Sequence, residues 1–165
     1  MTDLLEIRDL VVEFPLPGAS ARVLHRVGLT VGEGESVGIV GESGCGKSMT
    51  ALAAMGLMPD SAEVSGSIRL DGEALLGLGD AEMSRIRGRR IGMIFQEPMT
   101  ALNPVRTIGD QVAEGLRLHL GLSNGEALGR AVAMLERVVL PRSRLSPAPF
   151  PHLLSGAQRH RVVLA

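Results

Sequence analysis

Aromatic residues are scarce in this chain of 165 residues, which has no tryptophan, no tyrosine and only three phenylalanines. Proteins that hold single-stranded nucleic acid commonly stack its bases on aromatic side chains. The net charge of −1 also gives no general attraction to a phosphate backbone or to an anionic membrane surface. The composition therefore argues against a nucleic-acid partner.

Cysteine is scarcer still, because Cys45 stands alone. One cysteine excludes an intrachain disulfide and any site that needs several thiolate ligands, which fits a reducing compartment. The most apolar stretch, residues 49–58, has about half the length that a membrane-spanning helix needs. Acidic residues interrupt the apolar residues near the N-terminus, unlike in a signal peptide. We therefore expect a soluble, cytoplasmic chain without a transmembrane segment of its own.

The first 96 residues have the pattern of an α/β core. A short apolar run at residues 36–40 is typical of a buried parallel strand, and a glycine-rich loop and a predicted helix over residues 47–58 follow it directly. Four further segments combine apolar residues with flanking turn residues and are predicted to be strands: residues 5–14, 23–31, 64–71 and 90–95. The segment at residues 64–71 is predicted to form a hairpin with the residues near Glu73. Asp80 is predicted to cap a short helix over residues 81–87.

From residue 97 to the end the pattern is helical. Apolar residues recur at helical spacing from residue 107 to residue 139, interrupted by a capping box that pairs Ser123 with Glu126. A last helix is predicted to begin at Ser155. The expected organisation is therefore a nucleotide-binding α/β core over residues 1–96 and a helical subdomain over residues 97–165.

Residues 41–48 read Gly-Glu-Ser-Gly-Cys-Gly-Lys-Ser and match the Walker A pattern in full. Glycines let the backbone wrap closely, so that successive N–H groups point at phosphate oxygens. Lys47 is expected to reach the β and γ phosphates, and the Ser48 hydroxyl is expected to bind Mg²⁺. An apolar run before the loop and a helix after it disfavour the alternative of a chance Gly/Ser turn, and the helix presents its positive N-terminal end to the same anion.

Two further segments make the chain resemble the ATP-binding cassette (ABC) proteins. Residues 154–159, Leu-Ser-Gly-Ala-Gln-Arg, are similar to the LSGGQ signature, and Gln96 follows an apolar run as the Q-loop glutamine does. Residues 96–104 and 150–152 resemble the ATP subunits of oligopeptide, dipeptide and nickel importers. The resemblance implies an α/β P-loop NTPase core with a mixed or parallel sheet, an antiparallel β subdomain and a helical subdomain.

The resemblance also implies roles for individual residues. Phe14 would stack on adenine, although a strand-end core residue is an equal alternative, and Gln96 would contact Mg²⁺ and the attacking water. Lys47 and Gln96 would be the residues closest to the chemistry, and Ser48 and Gln96 the metal ligands. The expected nucleotide-binding residues are Phe14, Gly41, Glu42, Ser43, Gly44, Cys45, Gly46, Lys47, Ser48 and Met49.

The signature residues would act on a second cassette. In a head-to-tail dimer of identical or related subunits, they would meet the γ phosphate of the ATP held by the partner; they are Ser155, Gly156, Ala157 and Gln158. Ala157 departs from the family, which has a second glycine there. The region after Gln96 would face the transmembrane permease subunits, which implies a peripheral location on the cytoplasmic face of the membrane.

No apolar strand ending in Asp-Glu follows the signature, where the family carries the Walker B aspartate and the catalytic glutamate. We therefore expect a fold truncated before the Walker B strand, slow hydrolysis and an uncovered apolar surface. The leading function is the ATP-binding subunit of an importer for peptides or similar small solutes. The alternatives are a catalytically inactive nucleotide-binding fragment and a non-transport cassette ATPase of DNA repair or chromosome maintenance. The arginines at positions 85, 87, 89 and 90 are expected to form a solvated face.

Overall fold

The computed structural model describes residues 3–95, 101–140 and 149–165. The chain divides into two compact units, Met1–Arg87 and Gly88–Ala165. The predicted boundary after residue 96 stays a prediction.

A twisted antiparallel sheet dominates the first unit. Its strands are β1 (Asp3–Leu16), β2 (Ala19–Gly32), β3 (Glu63–Leu70) and β4 (Glu73–Ala74), in the spatial order β2-β1-β3-β4. The predicted strands over residues 5–14, 23–31 and 64–71 are thereby confirmed. The side chains that bury one face of this sheet are Ile7, Leu10, Val12, Leu24 and Ile68.

The hairpin between β3 and β4 turns on Asp71 and Gly72, which both have positive φ, at 50° and 77°. Two consecutive positive φ values are the mark of a type I′ turn, for which Asp-Gly is a preferred sequence. The predicted hairpin is confirmed, and its register pairs Leu70 with Glu73.

Two short helices complete the first unit, α1 (Lys47–Ala54) and α2 (Asp80–Ile86). Helix α1 ends earlier than predicted because Gly56 adopts a φ of 60° and terminates it. Asp80 is the first helical residue and not the cap, since the N-cap position belongs to Gly79.

The buried parallel strand predicted at residues 36–40 and the strand predicted at residues 90–95 are not present as strands. Residues 36–40 are exposed, with Val40 97% accessible, and Ile94 and Phe95 are about half accessible. A parallel strand exists only through hydrogen-bonded neighbours, and neither run forms a ladder with another strand within the described ranges. The expectation of uncovered apolar surface agrees with these exposures.

The second unit is helical, as predicted. Its helices are α3 (Ile108–Leu120), α4 (Asn124–Arg137) and α5 (Gly156–Leu164), with a 3-10 turn at Pro151–Leu153. Each α-helix begins at a hydroxyl N-cap that accepts a backbone hydrogen bond: Thr107, Ser123 and Ser155. The buried side chains that hold this unit together are Ile108, Leu135, Leu140, Leu154 and Val162.

Helix α4 ends in a Schellman motif with an unsuitable residue at its left-handed position. The N–H of Leu140 donates to the Leu135 carbonyl and that of Val139 to the Glu136 carbonyl, both at 3.0 Å. Val139 has a φ of 63°, where glycine is the usual residue and a β-branched side chain is strained. Val139 is also 70% exposed, so its side chain contributes little packing to offset the strain.

We therefore expect Val139→Gly to stabilise the chain by about 1 kcal/mol, because relief of the left-handed strain exceeds the entropy that glycine adds to the unfolded state. Denaturant unfolding measures the difference. Leu118→Gly is the control, since Leu118 is 74% exposed in the last turn of α3, and a glycine within a helix should cost up to about 1 kcal/mol. Equal losses from both substitutions would contradict the strain argument.

The capping box at the start of α4 creates a pH dependence. The Ser123 hydroxyl donates to Glu126 Oε2 at 2.5 Å and the Ser123 N–H donates to the same oxygen at 3.1 Å. These two hydrogen bonds, with a smaller contribution from the charge of Arg130, lower the pKa of Glu126 below its ordinary value of 4.5. A lowered carboxyl pKa means that the stabilisation is complete above pH 4.5 and is lost as the pH falls through the folded-state pKa.

Glu126→Gln should remove this part of the pH dependence, because an amide oxygen still accepts both hydrogen bonds but does not titrate. The measurement is helical circular dichroism of both proteins on acidification below pH 4.5. If both lose helix over the same range by the same amount, the box does not contribute to acid sensitivity.

Candidate functional site

The glycine-rich loop connects the exposed run at residues 36–40 to helix α1 and needs glycine for two different reasons. Gly44 and Gly46 have φ values of 83° and 96°, which other residues rarely adopt. A Cβ on Gly46 would also lie 2.3 Å from Leu24 Cδ2 of β2, whereas a Cβ on Gly44 would meet no atom within 4 Å. The loop therefore lies directly against β2 at Gly46.

Helix α1 starts without a side-chain cap, unlike the three helices of the second unit. Its N-cap is Gly46, and among the described residues no side chain accepts a hydrogen bond from its first turn. Thr50 instead fixes this turn by donating from both its N–H, at 2.9 Å, and its hydroxyl, at 3.0 Å, to the Gly46 carbonyl. The first backbone N–H groups, with their partial positive charge, are left to bind an anion.

The Lys47 side chain folds back over the loop. Its ammonium donates to the Gly41 and Glu42 carbonyls, each at 2.8 Å, and lies 3.4 Å from Cys45 Sγ. Lys47 is the only lysine of the chain, so the ammonium in this loop has no lysine substitute. A Cβ on Gly41 would lie 2.6 Å from Cys45 Sγ, so the two ends of the loop are in close contact.

These features suit a phosphate group. The glycines leave the loop backbone uncovered, and the N-terminus of α1 has no side-chain cap. The Lys47 ammonium lies across the loop. Oxyanions bind such concavities through backbone N–H groups and gain charge-assisted hydrogen bonds from a lysine. The residues present therefore fit the phosphates of a nucleotide.

A cavity of about 410 Å³ lies beside the loop. Cys45, Lys47 and Thr50 line one part of it, and the rest is an apolar wall from β2 and the exposed run: Val27, Leu29, Ile39 and Val40. Because the side chains of this wall carry no hydrogen-bond donors, the glycine loop is the part of the site that best suits an anion.

The other predicted loop residues lie where a ligand could reach them. Glu42, Ser43 and Ser48 are exposed, and Met49 is half-buried on the first turn of α1. Gln96, predicted as a metal ligand, lies outside the described residues.

Phe14 lies on the strand next to the one that the loop contacts. It is half-buried on β1 and pairs with Ala21. Two residues earlier on β1, Val12 pairs with Leu24, the side chain against which Gly46 lies. At about 3.3 Å per residue, Phe14 is about 7 Å along the strand from the Val12–Leu24 pair.

The signature residues form the start of α5 in the second unit. The Ser155 hydroxyl oxygen accepts from the Gln158 N–H at 3.3 Å, and Gln158 Oε1 accepts from the Ser155 N–H at 2.9 Å. Gly156 and Ala157 are exposed on the first turn, while Leu154 is buried and anchors the segment. The structure thus brings the four predicted signature residues together at one helix N-terminus.

The prediction that the arginine cluster is a solvated face is wrong for Arg87. Its guanidinium donates to two backbone carbonyls, of Met55 and Gly56, and to Asp80. Arg85 and Arg89 are exposed, as expected of such a face. Sequence reasoning misses Arg87 because its partner carbonyls lie about 30 positions away, a separation that no local pattern indicates.

The chain belongs to the ABC transporter family, because the model of that family matches residues 24–165. This span contains the glycine loop and the signature helix. The match confirms the resemblance on which the sequence interpretation depends.

The curated relatives are oligopeptide transport ATP-binding proteins named OppD. The protein of Mycobacterium tuberculosis is 46% identical over 166 residues, which cover 100% of this chain and 27% of the relative. That of Salmonella typhimurium is 43% identical over 98% of this chain and 48% of its own length. The chain spans at most about half the length of these two relatives.

Solved structures of ABC cassettes share the fold. A dimeric post-hydrolysis state of the ATP-binding cassette MJ0796, bound to ADP and Pi, has a TM-score of 0.81 and 26% identity over 97% of this chain and 67% of its own. The predicted class, a P-loop NTPase cassette with an antiparallel β subdomain and a helical subdomain, is thereby confirmed. Within the described ranges, no helix has the length and apolar character to cross a membrane.

Gly44 and Gly46 give a matched test of the local geometry of the loop. Gly46→Ala should reduce the free energy of unfolding more than Gly44→Ala, because both incur left-handed strain but only the former adds a clash with Leu24. The expected difference is about 1–3 kcal/mol, measured by denaturant unfolding of the nucleotide-free chain. Equal costs would show that the loop does not lie against β2 as described.

Proposed function

We propose that this chain binds MgATP through residues 41–48 as part of the ATP-binding subunit of an ABC importer. The observation that carries the proposal is the Lys47 ammonium, held at 2.8 Å from two loop carbonyls above a helix that has no side-chain cap. A cation and free N–H groups in one concavity are what a polyphosphate requires.

Nucleotide binding replaces contacts that the loop already makes. Lys47 now donates to two neutral carbonyls, Gly41 and Glu42, and would donate to phosphate oxygens instead. Hydrogen bonds between two charged groups are stronger than those to a neutral acceptor, so the exchange favours the bound state. The ammonium is already above the loop, which limits the rearrangement that binding requires.

The remaining contacts follow from position. Ser48 is exposed on the first turn of α1, where its hydroxyl can reach Mg²⁺, and Gln96 would be the second protein ligand. When bound, the metal would supply positive charge that offsets the negative charge of the phosphates. Phe14 would stack on the adenine, since it lies about 7 Å along β1 from the pair of Val12 with Leu24, the residue that the loop contacts.

The names of the relatives support peptides as the transported solute. Proteins called oligopeptide transport ATP-binding proteins and a putative peptide import ATP-binding protein of Brucella abortus are 41–46% identical to this chain. We infer that the ATP-binding subunit to which these residues belong hydrolyses ATP to drive uptake of peptides or similar small solutes. The segment after Gln96 would face the permease subunits on the cytoplasmic side of the membrane.

A second cassette would complete the site. Ser155, Gly156 and Ala157 at the start of α5 are exposed, and the MJ0796 cassette is dimeric in its post-hydrolysis state with ADP and Pi. In a head-to-tail dimer, the exposed N-terminus of α5 would approach the γ phosphate bound by the partner. The Ser155 hydroxyl uses its oxygen as a cap acceptor, so its O–H remains to donate to phosphate.

Lys47→Ala should abolish saturable binding of a fluorescent ATP analogue with Mg²⁺, because the ammonium is lost and the chain has no other lysine. The matched control is Arg89→Ala, which removes one positive charge from an exposed position outside the loop. MgATP should also protect Lys47 of the unaltered chain from an amine-acylating reagent, read by mass spectrometry of the loop peptide. Binding that survives in Lys47→Ala, or acylation unaffected by MgATP, would refute the proposed site.

A further inference from the structure

Arg87 makes three hydrogen bonds, two of them to the far end of the phosphate-loop helix and one to the first residue of α2. Nε donates to the Met55 carbonyl at 2.7 Å, Nη2 to the Gly56 carbonyl at 2.8 Å, and Nη1 to Asp80 Oδ1 at 2.9 Å. The Arg87 side chain is 20% exposed, whereas that of Asp80 is 87% exposed. The arginine is therefore embedded in the unit, and the carboxylate lies on its outside.

The end of α1 explains why two carbonyls need an external donor. Gly56 donates to the Ala53 carbonyl at 3.1 Å and Leu57 to the Leu52 carbonyl at 2.9 Å, which is a Schellman arrangement. These bonds satisfy carbonyls of the last turn but not those of Met55 and Gly56. Two adjacent edge N–H groups of one guanidinium satisfy both, and its positive charge suits the negative end of the helix.

The backbone here is closely packed against two side chains, those of Met83 and Arg87. A Cβ on Gly56 would lie 3.1 Å from Met83 Cε and 3.3 Å from Arg87 Nη2, and the φ of 60° also disfavours a side chain. Met83 is itself buried on α2. The end of α1 is thus fixed between α2 and the guanidinium.

Helix α1 connects this clamp to the phosphate loop. It has eight residues, so it is about 12 Å long, and its first two residues are Lys47 and Ser48. A short helix moves as a rigid rod, so a change at its C-terminal end tilts its N-terminal end.

We propose that Arg87 is a positioning residue for the phosphate loop: by clamping the end of α1, it sets the direction of Lys47 and Ser48. Arg87 touches no residue of the loop and no phosphate in this scheme. The inference rests on the proposed function, because the loop that it positions is the MgATP site proposed above.

The test compares Arg87→Met with Arg85→Met, which removes the same charge from an exposed position of α2. Without nucleotide, Arg87→Met should acylate at Lys47 several-fold faster than the unaltered chain, because the ammonium no longer keeps its carbonyl contacts. The Kd for a fluorescent MgATP analogue should rise by about 10- to 100-fold, the loss expected when a hydrogen bond between charged groups is no longer made. Arg85→Met should change neither quantity.

Three outcomes separate the explanations. If Arg87→Met lowers the unfolding temperature but leaves both the acylation rate and the Kd as in Arg85→Met, Arg87 is merely structural and the inference is overturned. If the unaltered chain binds no nucleotide but the acylation rate still rises in Arg87→Met, the proposed function fails and the positioning role stands. If Arg87→Met does not fold, Arg87→Lys decides by the same two readouts, since it keeps the charge but lacks the planar fork of adjacent N–H groups.

Discussion

The close approach of Gly46 to Leu24 is the constraint on which the rest of the site depends. With the backbone this near β2, residue 46 cannot carry a side chain and adopts a φ of 96°. It therefore begins α1 without a cap, and Lys47, the next residue, extends from the first turn back over the loop. One steric contact thus determines both the free N–H groups and the place of the ammonium.

The sheet holds Leu24, the residue that Gly46 contacts, in a fixed position. Leu24 is almost fully buried and pairs with Val12 of the central strand β1. The loop is consequently held against the best-packed part of the first unit, although the residues that precede it, 36–40, are exposed. A site can keep its local geometry beside an unpaired segment when its own contacts are made to a strand that is paired along its length with a neighbour, as β2 is with β1.

The loop, the capped helices and the Asp71-Gly72 hairpin can be predicted from the sequence because each is specified by neighbouring residues. Ser123 and Glu126, for example, are three positions apart and form the capping box that the pattern indicates. The prediction of strands at residues 36–40 and 90–95 is wrong, because an apolar run records what a strand needs to bury but not whether a partner strand is present. The role of Arg87 escapes prediction since it bonds to carbonyls 31 and 32 positions away.

Two helix N-termini in this chain differ in what they would offer an anion. At α1 the cap is a glycine, so the proposed site would bind through backbone N–H groups, with the charge supplied by Lys47. At α5 the cap is Ser155, whose oxygen accepts from the Gln158 N–H and so uses one acceptor site but not its donor. The first turn of α5 carries Ala157 exposed, and its methyl group limits how closely an anion approaches the backbone there. The first terminus can therefore surround a polyphosphate, whereas the second can add only a hydroxyl and a helix dipole to an anion that is already held elsewhere.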